Sequence, residues 1–199
     1  LTPRQDTFDG HAFYAAKTAT DGKRRFLFGW NPTRSDEKDN GGWNWGGNLV
    51  VHEVIQQPNG ELAVRAPDTV RKAFNKAVQQ DFKTGNGDLI GAKKEIEIKA
   101  EEGFNVAAAG KMPGKCRIST TIVFDKAPRN FGCVLRSSDD LDKGYYIRLE
   151  PDRSRLVYDM WPRRINELPH MAEFERIVNF KPGAPVTVEI FVDGNKGVV

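Results

Sequence analysis

The chain has 199 residues, 39% of them hydrophobic and 29% charged, and 30 Lys plus Arg against 27 Asp plus Glu leave a formal charge of +3. A chain of this length buries about two thirds of its unfolded surface in one or two domains, so a core needs neither a disulfide framework nor a structural metal. Apolar runs fall far short of the roughly 20 residues that cross a bilayer, and the positive excess forms no basic arm or Arg-rich face, so neither a membrane span nor a nucleic-acid partner is expected.

In chain order, short runs of alternating or β-branched and aromatic residues are punctuated by Gly, Pro, Asn and Asp, an all-β pattern. Ala12 to Thr20, Arg24 to Trp30, Asn48 to Ile55 and Glu61 to Arg65 read as strands, with Asp21-Gly22 and Asn59-Gly60 as the tight turns of two hairpins. Asn31 to Gly47, rich in Gly, Asn, Asp and Trp, reads as a long loop between them. Past Pro67, Asp68 is placed as an N-cap, and Val70, Ala73, Phe74, Ala77 and Val78 recur at helical spacing, which predicts one amphipathic helix over Thr69 to Gln80. A linker through Lys83 to Asp88 follows, so the expected division is a first β unit over 1–66, helix and linker over 67–92, and a second β unit over 93–199.

Strands return at Glu95 to Ile98, Phe104 to Ala109, Cys116 to Phe124, Phe131 to Ser137, Tyr145 to Glu150, Arg155 to Trp161, Glu173 to Phe180 and Val186 to Val192, a spacing that suits a two-sheet antiparallel β-sandwich. The hairpin through Pro151 to Ser154 alternates most cleanly. The sequence stops at Val199, just after the turn-like Asp193-Gly194-Asn195 where a returning strand is due, so the sandwich is expected to be truncated at its last strand, with an open edge. Cys116 and Cys133 fall in neighbouring strand-like runs, either as a bridge or as two separately buried thiols. The opening Leu1-Thr2-Pro3 has no basic or apolar leader pattern, which is expected if a leader was removed or if the chain is part of a longer protein.

Most chemistry-bearing patterns are incomplete. His52-Glu53 lacks the second histidine of a zinc-protease helix, since position 56 is Gln56, and the segment reads as a strand. His11 and His170 have no second ligand at metal spacing, and the glycines at Gly85, Gly87 and Gly91 are wrongly spaced for a dinucleotide loop. Asp139-Asp140-x-Asp142 lacks the glycine of a calcium loop and reads as a polar hairpin turn. No metal and no cofactor is expected. The positive signal is aromatic: Phe13, Tyr14, Phe26, Phe28, Trp30, Trp43 and Trp45 crowd the first 45 residues, and a planar ring with a polar tip suits the apolar face of a sugar. The Phe residues fit a packed core better, whereas Trp43 and Trp45, amid Gly and Asn, suit ligand contact as well as packing.

Phe13-Tyr14-Ala15-Ala16-Lys17-Thr18, Arg25-Phe26-Leu27-Phe28-Gly29-Trp30, Trp45-Gly46-Gly47-Asn48-Leu49 and Gly60-Glu61-Leu62 together resemble the fifth propeller blade of glycoside hydrolase family 32, which contains invertases, inulinases and levanases. Val188 to Gly194 is similar to the strand and turn near the end of that family's C-terminal β-sandwich. Two positions depart from the pattern: Ala12 stands where the family has Asp, and Val51-His52-Glu53 where it has Pro-Arg-Glu. The family's three carboxylate motifs, Trp-x-Asn-Asp-Pro-Asn-Gly, Arg-Asp-Pro and Glu-Cys, do not occur in this sequence. Retaining hydrolysis needs two carboxyl groups about 5 Å apart, so no catalytic residue is expected here.

The resemblance implies a last propeller-blade segment followed by a helix and a concanavalin-like sandwich, forming the non-catalytic C-terminal part of a secreted, periplasmic or cell-surface glycosidase. It implies a fructan or sucrose-like glycoside as ligand and the N-terminal propeller domain of the same protein as partner. Tyr14 and Trp30 would shape a sugar subsite, with Trp43 and Trp45 as further substrate contacts. The alternatives are a stand-alone carbohydrate-binding or structural sandwich module and an independent lectin-like sandwich.

Overall fold

The structure is a computed structural model and describes residues 8–10, 12–38, 41–84, 89–90, 97–98, 103–126, 129–162, 174–194 and 196–198. The β-branched and aromatic runs of the first third form β1 (Tyr14–Thr20), β2 (Arg25–Arg34), β3 (Trp43–Gln56) and β4 (Leu62–Arg65), and one helix follows, α1 (Asp68–Ala73). Then come short strands β5 (Phe82–Thr84), β6 (Leu89–Ile90), β7 (Glu97–Ile98) and β8 (Ala107–Ala109), followed by β9 (Lys115–Ile122), β10 (Phe131–Leu135), β11 (Gly144–Glu150) and β12 (Arg155–Trp161). The last are β13 (Phe174–Ile177), β14 (Val186–Asp193) and β15 (Lys196–Val198). The chain is all-β with predominantly antiparallel sheets, and no closed barrel forms among the described residues.

Leu1–Asp68 with Thr120–Val188 forms one compact unit, and Thr69–Ser119 with Glu189–Val199 a second. The first unit holds a sheet of order β1-β2-β3-β4 and another of order β10-β11-β12-β13. Both turns singled out by sequence close the first sheet as expected. Asp21 Oδ1 accepts from the N–H groups of Lys23 and Arg24, and Gly22 and Gly60 adopt φ of 91° and 89°, which favour glycine. In the other sheet β11 and β12 pair without interruption from Gly144 opposite Trp161 to Glu150 opposite Arg155. Alternation sends Ile147, Leu149 and Met160 into the core and leaves Arg148, Glu150, Arg155 and Asp159 on the opposite face. The second unit holds the pairs β5-β8 and β6-β7, and buries Ile190 and Phe191 of β14, a strand ordered β15-β14-β9 with its neighbours.

Two expectations are corrected. The segment from Asn31 to Gly47 is mostly ladder: Asn31 pairs with Asn48, Pro32 with Gly47 and Arg34 with Trp43, so only the tip between Arg34 and Trp43 is connection. Its polar, Gly-rich composition hides a hairpin that is tied by side chains, as where Thr33 Oγ1 donates to the Gly46 carbonyl at 3.0 Å. The helix is half its expected length. Continuing it would require the Arg71 carbonyl to accept from the N–H of residue 75, but that carbonyl instead accepts from Phe74 N and from the Arg117 guanidinium. Phe74 leaves the helix to pack edge-on against Phe191, and Val78, meant for the buried stripe, is 55% exposed.

The cysteines lie in strands of different sheets and form no disulfide with each other. Burial pushes the Cys133 thiol above its usual value. The Asp139 to Asp142 segment is the β10–β11 turn, where Asp140 accepts from the Ser138 hydroxyl and the Asp142 N–H, and both bonds hold its carboxyl below the ordinary range. His11, His170 and the segment 85–88 lie outside the described residues.

Candidate functional site

The site is built by register on one face of the first sheet. In β2 the side chains alternate, so Leu27 and Gly29 are buried while Phe26, Phe28 and Trp30 share the other face. Across the ladders, Tyr14 stands opposite Trp30 and Trp30 opposite Leu49, forming one row across three strands. Trp45 joins that row from the extended hairpin. Its ring lies 6.2 Å from Trp30 and 6.3 Å from Tyr14, and Tyr14 meets Trp30 edge-on at 5.7 Å. These spacings fall in the attractive range for aromatic pairs, about 4.5–7 Å. Even so, Trp45 is 82% exposed, Leu49 71% and Tyr14 55%.

Gly47 explains how Trp30 reaches this position. A Cβ there would stand 2.5 Å from Trp30 Cε3 and 2.4 Å from the Asn31 carbonyl oxygen, so the indole rests on bare backbone. Trp43 is placed differently from the other three sequence-predicted residues. It pairs with Arg34 across the hairpin, and the Arg34 guanidinium lies 3.5 Å from its ring centroid, a cation–π contact. The structure thus brings Tyr14, Trp30 and Trp45 together and sets Trp43 beside Arg34 near the hairpin tip.

The adjacent pair His52-Glu53 is split between the two faces, as neighbours on a strand must be. On the buried face, His52 Nε2 lies 2.7 Å from Asp9 Oδ2, and Phe13 packs edge-on against the imidazole with its ring also filling the space over Gly29. On the aromatic face, the Glu53 carboxylate is buried and accepts from Arg65 Nη2 at 2.9 Å; this bond holds the Arg65 guanidinium above its usual range. Neither arrangement resembles a metal centre, and no group of three metal-ligating side chains occurs among the described residues.

Sequence reasoning missed Leu49, which prolongs the exposed row, and a second polar cleft on the β11–β12 sheet around Trp161. The signal for both was strand alternation combined with exact register, and register is set by turns and bulges that composition does not reveal. Chemically, the first face offers planar rings and aliphatic surface with little charge, suited to stacking a sugar or covering by another apolar surface. No helix among the described residues is long and apolar enough to cross a membrane. No protein-family model matches the chain, and no curated protein matches it.

Proposed function

We propose that the chain is the C-terminal, non-catalytic part of a secreted family 32-like glycoside hydrolase, in which β1 to β4 form the last propeller blade and the later strands a supporting concanavalin-like sandwich. The observation that carries this reading is the exposed row of Tyr14, Trp30, Trp45 and Leu49 on one face of a four-stranded antiparallel sheet. A blade needs such a face, because its apolar side is covered by its neighbour in the propeller. In this reading the neighbouring blade covers the Leu49 side of the row, while Tyr14 and Trp30 shape a fructose-accepting subsite beside carboxylates supplied by the N-terminal propeller, and Trp45 extends it.

The test is to assay this chain alone on sucrose, inulin and levan, and to read the reading frame upstream of Leu1. No turnover is expected, together with upstream Asp-Pro-Asn-Gly, Arg-Asp-Pro and Glu-Cys segments. Hydrolysis by this chain alone, or a frame without those segments, overturns the reading. The exposure of Trp45 favours one second reading, a stand-alone carbohydrate-binding module. That reading requires fructan-dependent quenching of tryptophan fluorescence in the isolated chain, lost on Trp45→Ala.

A further inference from the structure

The other large sheet of the first unit carries a cleft of about 270 Å³ lined by Leu141, Asp142, Tyr146, Arg148, Asp159 and Trp161. Register assembles it: Tyr146 stands opposite Asp159 and Gly144 opposite Trp161 on adjacent strands, so the three polar side chains of β11 and β12 and the indole share one face. The wall is the β10–β11 turn, cross-tied by Ser138 N to the Lys143 carbonyl, Leu141 N to the Ser138 carbonyl and Lys143 N to Ser138 Oγ. Tyr146 donates its hydroxyl proton to the Leu141 carbonyl, which ties strand to turn and leaves the phenolic oxygen able to accept.

The lining sets the one cation, Arg148, against two carboxylates, Asp142 and Asp159. Arg148 Nη2 lies 3.4 Å from Asp159 Oδ2 and its Nε 3.4 Å from Glu150 Oε1, and the Asp159 side chain is only 6% exposed. Glu150 is in turn held by Arg155 at 2.7 Å, whose other end meets Glu175 at 2.6 Å; burial works against the Arg155 charge, but the two carboxylates outweigh it and keep it above its usual range. Both Arg148 contacts are long, and its buried Nε makes no hydrogen bond. The guanidinium therefore has its charge neutralised, and because the Arg148 side chain is 33% exposed its terminal nitrogens keep donor capacity toward the cleft. An anion would meet Asp142 and Asp159, and a cation would meet Arg148. Trp161, at the mouth, is 50% exposed and offers an apolar plane.

A neutral ligand with several hydroxyls and one apolar face satisfies all of these groups at once. We propose that this cleft binds a single neutral saccharide ring, stacked on Trp161 and hydrogen-bonded by Arg148, Asp142, Asp159 and the Tyr146 oxygen. The volume lies just below the usual range of small-molecule sites, about 300–1,000 Å³, which suits one ring and not a long chain. The site is separate from the Trp30 and Trp45 face and does not depend on that face binding sugar.

The test uses chain labelled with ¹⁵N at the indoles, whose four tryptophan signals are assigned by single Trp→Phe variants. D-fructose, D-glucose, D-galactose, sucrose and, as the anionic counterpart, fructose 6-phosphate are each titrated to about 50 mM, enough to saturate a site of millimolar affinity. The expected result is a saturable shift of the Trp161 signal with at least one neutral sugar, weakened at least tenfold in Asp142→Ala, a surface change that leaves the fold intact. Absence of any Trp161 shift overturns the proposal, even where the Trp30 and Trp45 signals move and uphold the other site. A response to the phosphate ester alone overturns it as well, because the cleft would then be an anion site.

Discussion

Replacing Gly47 by alanine tests the support beneath the aromatic row. The added Cβ would lie 2.5 Å from Trp30 Cε3 and 2.4 Å from the Asn31 carbonyl oxygen, distances at which something must move. The carbonyl is poorly placed to yield, because Asn31 and Pro32 are held in register with Asn48 and Gly47. The indole therefore shifts, or the hairpin loses ladder bonds. Overpacking of this kind costs about 1–3 kcal/mol, and removing a strand glycine returns about 0.5–1 kcal/mol. The net loss is centred near 1 kcal/mol and reaches about 2.5 kcal/mol, which lowers the urea midpoint by roughly 0.5 M, and by roughly 1.2 M at most, for a slope near 2 kcal/mol/M. Gly46→Ala is the internal control, since the nearest atom to its Cβ is Thr33 Oγ1 at 3.9 Å, and it is expected to be neutral or slightly stabilising. Midpoints come from far-UV circular dichroism, and the near-UV spectrum reports whether Trp30 has moved against Trp45. If Gly47→Ala matches Gly46→Ala in midpoint and leaves the near-UV spectrum unchanged, Trp30 does not rest on that backbone and the geometry of the row is wrong.

Asp9→Ala leaves the buried His52 ring without its partner at 2.7 Å, and a loss of about 1–3 kcal/mol in urea unfolding is expected. Asp21 is held at about 2, below the ordinary 3.8, first by the N–H groups of Arg24 and Lys23 and then by the Arg24 side chain. A depressed carboxyl stabilises the fold above its unfolded value and loses that contribution as pH falls toward the folded one, so the midpoint difference between wild type and Asp21→Ala should be level above about pH 5 and shrink between about pH 4 and 2. Because burial raises the Cys133 thiol, iodoacetamide at pH 8 should modify Cys133 more slowly in the folded chain than in urea, which peptide mapping reads directly. Leu49→Glu, at a position 71% exposed, should change stability by no more than about 0.5 kcal/mol, and a larger loss would mean that Leu49 is packed.

The fold class was legible because its signals are local. Asp21-Gly22 and Asn59-Gly60 fix two turns through side-chain and glycine chemistry that acts within four residues, and the alternation of Tyr145 to Glu150 with Arg155 to Trp161 needs only a neighbouring strand. The length of the helix is not legible, for the opposite reason. Its apolar spacing continues to Val78, but helix stability at this length rests on tertiary burial, and distant residues decided the outcome: Arg117 takes the Arg71 carbonyl and Phe191 draws Phe74 away. The hairpin from Asn31 to Gly47 has the composition of a loop, because Gly, Asn and Pro are poor strand formers, and what holds it extended is pairing across the ladder.

The candidate site shows the same division. That Tyr14, Trp30 and Trp45 are good sugar-stacking residues can be read from their types, but that they meet depends on Tyr14 pairing with Trp30 across a bulge between Tyr14 and Lys17, and a one-residue slip would send Trp30 to the face of Leu27. Trp43 has the same composition around it as Trp45, yet Arg34 opposite claims its ring. The cleft at Trp161 was invisible for a stronger reason. Its members alternate with core residues along two strands, so each looks like the solvated half of an amphipathic hairpin. Only the pairing of Tyr146 with Asp159, and the turn folding Leu141 back onto the Tyr146 hydroxyl, turns that half into a concave surface. Residue type therefore indicated what each face could bind, and register determined which residues came together to bind it.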